Sequence, residues 1–207
     1  MINDPVTVLY RDPWLLVVLK PSGLLSQPGR GPKLQDSLIT RMRSLEPGLH
    51  LVHRLDRDTS GLILLARSQD SLRRCSELFA RRRVNKLYEA EVAGRLEGSG
   101  RIENRLARLQ RDPPRYGSHP EGRLAVTLWR THALLKLSTK LWMRPITGRS
   151  HQLRAHLAQL GHPILGDPLY NPETAADFPR MMLHSEELRI NHPENGRGMK
   201  FRAKAPF

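Results

Sequence analysis

The sequence predicts an α+β fold: a mainly antiparallel, mixed β-sheet core with flanking helices. Segments patterned as strands outnumber those with helical periodicity and mostly neighbour one another along the chain. The uninterrupted apolar run Leu62–Ala66 reads as a strand buried on both faces. Leu135, Leu137, Thr139, Leu141 and Met143 alternate with Lys136, Ser138, Lys140 and Trp142, the period-two pattern of a long half-buried strand.

In chain order, residues 6–19 carry two apolar patches around the turn-like Arg11-Asp12-Pro13, a β-hairpin whose second strand is broken by Pro21-Ser22-Gly23. Pro28, Gly29, Gly31 and Pro32 make residues 26–33 a loop, and Leu34–Leu45 is a short helix ended by Pro47-Gly48. Ser68 can cap a helix with Leu72, Cys75, Leu78 and Phe79 on one face and Arg73, Arg74, Arg81, Arg82 and Arg83 on the other. Leu87–Val92 alternates as a strand. Gly94–Arg123, rich in Gly, Pro and Arg, is expected to form hairpins or loops able to touch a ligand. Pro145 and Gly148 end the long strand. Ser150 then caps a helix whose Leu153, Leu157 and Leu160 recur on one stripe and which Gly161 stops. No repeat or low-complexity tract interrupts the 207 residues, which are read as one domain, 1–207, with two subdomains sharing one sheet.

Charge gives the first functional indication. Lys and Arg total 34 against 20 acids, a formal net charge of +14 and a pI near 10.9. An excess of this size points to a polyanionic partner, nucleic acid first. The longest apolar runs have strand length, well short of the ~20 residues of a membrane span. Met-Ile-Asn-Asp-Pro has no signal-peptide pattern. The one cysteine, Cys75, forms no internal disulfide, and the expected compartment is the cytoplasm. Nine histidines show no metal-ligand spacing, His151 and His156 being five apart. Phosphate-binding, dinucleotide-binding and Gly-x-Ser-x-Gly patterns are missing, so neither metal nor organic cofactor is expected.

Two segments carry chemistry. His53-Arg54-Leu55-Asp56-Arg57-Asp58-Thr59-Ser60-Gly61 is a polar loop at the mouth of the buried strand, a position that holds side chains rigidly while leaving them open to a ligand. A nearby cation favours the charged form of a carboxyl group, and an ionised carboxylate can attack carbon. On spacing alone a loop Asp is equally a turn or cap residue. Pro145-Ile146-Thr147-Gly148-Arg149-Ser150-His151-Gln152-Leu153-Arg154 leads from a strand into a helix, and Arg149 lies at the helix entrance, where an anion is readily ordered. By the same token Arg149 fits a solvated loop and Leu153 fits plain core.

The first segment resembles the His-Arg-Leu-Asp-x-x-Thr-Ser-Gly signature of RluA-type pseudouridine synthases. Leu15–Leu25, Lys86–Ala90, Pro145–His156, Gly161–Tyr170 and the end from Leu183 to Phe207 match in the same order, so the resemblance spans nearly the whole chain. It implies the pseudouridine synthase fold with a central RNA-binding cleft. The implied enzyme breaks the uridine N1–C1′ bond, turns the base and rejoins it through C5, without a cofactor. It further implies Asp56 as nucleophile, attacking C1′ or C6. Tyr88 would stack on the base and help remove the C5 proton, Arg149 would pair with Asp56, and Leu153 would line the pocket. Arg54 would enter the space left by the flipped uridine, with His53 and Leu55 beside it on the substrate. Flipping costs a few kcal/mol, of which aromatic stacking offsets roughly 1–3 kcal/mol. The arginine-rich helix and the Gly94–Arg123 loops are candidates for holding phosphates.

No N-terminal RNA-binding domain is expected ahead of the core. That layout is similar to the family branch acting on both a tRNA anticodon stem-loop and a 23S rRNA loop, and a monomer is expected. Leu19 departs from the Asn many relatives place before Lys-Pro, and Arg123-Leu124 from a usual Lys-Pro or Lys-Ala. Two rivals stand beside this reading: a non-catalytic RNA-binding relative, and a hydrolase using Asp56 with Asp58, which would require a matched acid and base.

Overall fold

The computed structural model describes residues 6–207; Met1–Pro5, on which the absence of a signal peptide is read, lies outside them. In chain order the elements are β1 (Thr7–Arg11), β2 (Leu15–Lys20), α1 (Leu38–Leu45), β3 (His50–Leu51), β4 (Ser60–Ala66), α2 (Gln69–Ala80), β5 (Asn85–Ala93), β6 (Ser99–Gln110), β7 (Arg115–Ser118), β8 (Arg123–Leu134), β9 (Ser138–Pro145), α3 (Gln152–Gln159), β10 (Leu183–Asn191) and β11 (Gly198–Arg202). Tight helical turns lie at Pro32–Leu34 and Pro172–Asp177. The class is α+β with mainly antiparallel pairing, as the sequence predicts. The chain divides into two compact units: one runs to Lys86 and resumes over Ser185–Pro206, the other is Leu87–His184 with Phe207.

In the first unit the strand order is β1-β2-β4-β10, with β3 on β4 and β11 on β10. The predicted hairpin forms, pairing Thr7 with Leu19 and Arg11 with Leu16. Asp12 makes its turn by accepting the N–H groups of Trp14 and Leu15 at 2.7 Å. All seven residues of β4 are buried, as an unbroken apolar run requires. Leu62 and Leu64 pack with Leu15, Val17, Cys75, Leu188 and Ile190. Each such side chain contributes about 1.5–3 kcal/mol by leaving water. Ser68 caps α2, its Oγ accepting the Ser71 N–H at 3.1 Å. Cys75 faces the core, where burial pushes its thiol pKa up to about 11. The helix expected over Leu34–Leu45 begins only at Leu38. Ser37 and Thr40 form a capping box there, each side chain accepting the other's N–H, and the preceding residues turn at Pro32–Leu34 instead.

The second unit orders its strands β5-β9-β8-β6-β7. Its pairings are antiparallel, with Tyr88 opposite Met143 and Ala90 opposite Leu141. Gly94–Arg123 resolves into a long hairpin, β6 with β7, rather than loops alone. The alternating strand starts at Ser138, not Leu135. Leu135 and Leu137 are 44% and 81% exposed in the turn joining β8 to β9. Gly161, at φ 81°, ends α3 as expected. His162 N–H returns to Leu157 O at 3.0 Å and Gly161 N–H to Ala158 O at 3.1 Å, the paired bonds of a Schellman ending. Ser150 is not the cap at the other end. His151 occupies that position in the left-handed conformation, φ 52°, with no side-chain cap bond. A side chain one residue later organises the entrance in its place.

Candidate active site

Residues 53–60, which carry Asp56, are fastened from the side by the last residue of β2 and the segment that follows it. Lys20 is fully buried, and its Nζ donates to Pro21 O at 2.8 Å, Leu24 O at 2.6 Å and Arg57 O at 2.8 Å. Ser22 Oγ donates to Asp58 O at 2.6 Å. Ser26 Oγ donates to Leu55 O at 2.7 Å and accepts the Leu55 N–H at 3.1 Å. The peptide groups on both sides of Asp56 are therefore pinned, while its own carbonyl accepts Thr59 N–H at 3.2 Å to close the turn. Asp56 is half-buried at the head of β4. Sequence reading found Asp56 but not this frame. The available signal was that Leu16, Val18 and Lys20 share one strand face, and a lysine ending a buried face must satisfy its charge inside.

The neighbours of Asp56 differ in their surroundings. Arg54 is exposed. Leu55 is buried and serves as packing for the loop. His53 stacks on Phe79, ring centroids 4.8 Å apart, and its Nε2 accepts the Leu64 N–H at 3.0 Å. Burial, and secondarily the charge of Lys86, lower its pKa to about 3, so the ring is a neutral tie between loop and β4. Asp58 takes an ion pair from Arg57 at 3.1 Å.

In the second unit Tyr88 lies buried on β5. Leu153, on the first turn of α3, is also buried. Arg149 precedes α3; its Nε donates to Leu124 O at 3.0 Å and its backbone N–H to Gln152 Oε1 at 3.0 Å. Arg154, which sequence reading left without a role, is 3% exposed and grips Asp167 through Nε at 2.7 Å and a terminal nitrogen at 2.8 Å. Its guanidinium carbon sits 5.1 Å from the Tyr170 ring centroid. Such a bidentate pair is geometrically specific. His156 is buried between Thr127 Oγ1 and Asn104 Oδ1, each at 2.9 Å, and burial lowers its pKa to about 4.

The basic residues divide into paired and unpaired sets. On α2, Arg73 and Arg74 are held by Asp70 at 2.8 Å, and Arg73 also by Glu77. Arg81, Arg82 and Arg83 are exposed with no ion pair among the described residues. On the β6–β7 hairpin Arg101 is paired with Glu103, whereas Arg108 bonds the Tyr116 hydroxyl and Arg115 lies over Tyr170. Among the described residues no cluster of three His, Cys, Asp or Glu side chains could hold a metal ion, and no helix is long and apolar enough to cross a membrane.

The Asp56 loop, the strand it feeds and the segment leading into α3 all lie within residues 14–159, which match the RNA pseudouridylate synthase family. The chain belongs to that family. It is similar to the dual-specificity RNA pseudouridine synthase RluA of Yersinia pestis, 42% identical over 204 residues covering 97% of this chain and 99% of the relative. It is 40% identical over 206 residues to that of Escherichia coli strain K12, covering 98% and 94%. The solved structure of human RNA pseudouridylate synthase domain containing 1 superposes with a TM-score of 0.83 at 28% identity, covering 98% of this chain and 84% of that one.

Proposed function

We propose that the chain converts specific uridines in structured RNA to pseudouridine, with Asp56 as the nucleophile, on a tRNA anticodon stem-loop and a 23S rRNA loop, acting as a cytoplasmic monomer. The observation that carries the assignment of Asp56 is the set of bonds from Lys20, Ser22 and Ser26 that immobilises the peptides beside it. A nucleophile on a pinned loop meets its target without first losing conformational freedom. The carboxylate adds to C1′ or C6 of the uridine and the N1–C1′ bond breaks. After the base turns, C5 bonds to C1′, the C5 proton leaves to solvent or a base, N1 gains a proton, and the carboxylate is regenerated. Atoms balance without a cofactor.

Tyr88 stacks on the base and assists loss of the C5 proton, and Leu153 lines the pocket. Arg54 takes the place of the flipped base, and His53 and Leu55 shape the loop under it. Arg149 is the guanidinium that pairs with Asp56. Arg154 is the second reading for that cation, favoured by its burial and by the bidentate grip on Asp167, which fixes the plane of its guanidinium. Arg81, Arg82, Arg83 and the unpaired arginines of the β6–β7 hairpin hold phosphates.

The test is tritium release from 5-tritiated uridine in anticodon stem-loop and 23S rRNA loop transcripts. Asp56→Asn should release none while binding RNA within a few fold of the native chain; turnover by that variant removes the nucleophile assignment. Arg149→Lys and Arg154→Lys separate the two cations. The partner of Asp56 is the one whose loss lowers kcat by about 100-fold with RNA affinity retained.

A further inference from the structure

Gln152 has the surroundings of a working part rather than of filler. It is 4% exposed, and its amide uses every donor and acceptor it has. Oε1 accepts from Thr147 Oγ1 at 2.7 Å and from the Arg149 N–H at 3.0 Å. Nε2 donates to Val126 O at 3.0 Å and Thr127 Oγ1 at 2.9 Å. The amide cannot be reversed, because the Arg149 N–H only donates and Val126 O only accepts.

Two further bonds make the arrangement directional. Thr147 Oγ1 accepts the Val126 N–H at 2.8 Å, so both the turn and the amide are anchored on β8. Neutral His156 must donate its Nε2 proton to Asn104 Oδ1. Its Nδ1 therefore accepts from Thr127, whose oxygen in turn accepts from Gln152. Each hydroxyl and ring nitrogen thus has one role. Arg149 is held at two points, its backbone N–H by Gln152 and its Nε by Leu124 O, both fixed with respect to β8. Its remaining side-chain nitrogens are aimed from a rigid base.

We propose that Gln152 is a positioning residue for Arg149: it locks the Thr147–Arg149 turn to β8 so that the guanidinium is delivered in one orientation for the reaction. This rests on the reading of Arg149 as a functional cation. Gln152→Met keeps the length of the side chain and removes all four hydrogen bonds. Loss of positioning alone lowers kcat, by about 10- to 100-fold for a displacement on the order of 1 Å, and leaves RNA affinity within about threefold.

The deciding experiment is a double-mutant cycle in the tritium-release assay, with amide hydrogen exchange at Arg149 as an activity-independent arm. If Gln152 acts through Arg149, Gln152→Met lowers kcat in the native chain but adds nothing in an Arg149→Ala background. It also speeds exchange of the Arg149 amide by about tenfold or more. An equal loss of kcat in both backgrounds, or an unchanged exchange rate, overturns the proposal. Thr147→Ser, which keeps the hydroxyl, should behave as the native chain, and Thr147→Val should follow Gln152→Met. This pair keeps the test open if Gln152→Met folds poorly. A native chain that releases no tritium from any RNA sinks the functional reading instead, and the exchange arm still decides the role of Gln152.

Discussion

Asp56 could be picked out of the sequence because its neighbours are chemically unusual for a loop; the lysine that fixes its backbone could not. Lys20 follows five apolar residues and looks like the polar end of a strand. In the structure it turns inward, and three backbone carbonyls surround its Nζ. Removing it leaves those acceptors short of a donor, at about 1–3 kcal/mol each when buried. Lys20→Met is expected to lower stability by about 3 kcal/mol or more in urea unfolding, and to reduce kcat further than that loss explains. A variant with native stability would show that the carbonyls find other donors and that the loop does not depend on Lys20. His53, whose place in the signature suggests contact with substrate, also ties the loop to β4, stacking on Phe79 and accepting the Leu64 N–H.

At the scale of elements, the buried strand and the capped helix α2 were legible because each obeys one periodicity and one cap rule. Strand β8 was not. Ala125, Val126 and Thr127 are buried in succession and a register shift falls between Thr131 and Ala133, so no alternation survives. Strand β6 lies in the stretch expected to form hairpins or loops, and its bounds were hidden because its inward face, Gly100, Ile102, Asn104 and Leu106, is only half apolar and mostly half-buried. The entrance to α3 misled through Ser150, a good cap by type, because the Gln152 amide had already ordered the turn. Gly61 shows what β4 demands of its first residues. It holds φ 119°, and a Cβ there would lie 2.4 Å from Ser185 O and 2.5 Å from Ser185 N. Backbone on β10 cannot yield as a flexible side chain would. Gly61→Ala should therefore destabilise by about 2–4 kcal/mol in denaturant unfolding; a loss below about 0.5 kcal/mol would mean that the two strands separate readily.

Over the whole molecule, composition announced a polyanionic partner, and the family match made that partner RNA in the relatives' names. Composition could not say which arginines are available, since that depends on the acids beside them in space, as Arg73 and Arg74 show. Charge also sets the response to acid. His53 and His156 stay neutral when folded, with pKa values lowered to about 3 and about 4, chiefly by burial. Unfolded, both take up protons near pH 6.5. Between those values the unfolded state binds more protons, so stability is full above about pH 6.5 and falls as pH drops toward 4 and then 3. Glu46, held low by Arg67 and Arg11 against the opposing effect of burial, adds to the loss at the acid end. The melting temperature should fall between pH 6.5 and 4.5, and His156→Asn should flatten that fall; an unchanged slope would place the acid sensitivity elsewhere.

The most direct test of the central claim is pseudouridine mapping by mass spectrometry of total RNA from cells lacking this chain and supplied with either the native sequence or Asp56→Asn. Modified uridines in a tRNA anticodon stem-loop and a 23S rRNA loop should return with the native chain and stay absent with the variant. Return of the same sites with Asp56→Asn, or no site that depends on the chain at all, would contradict it.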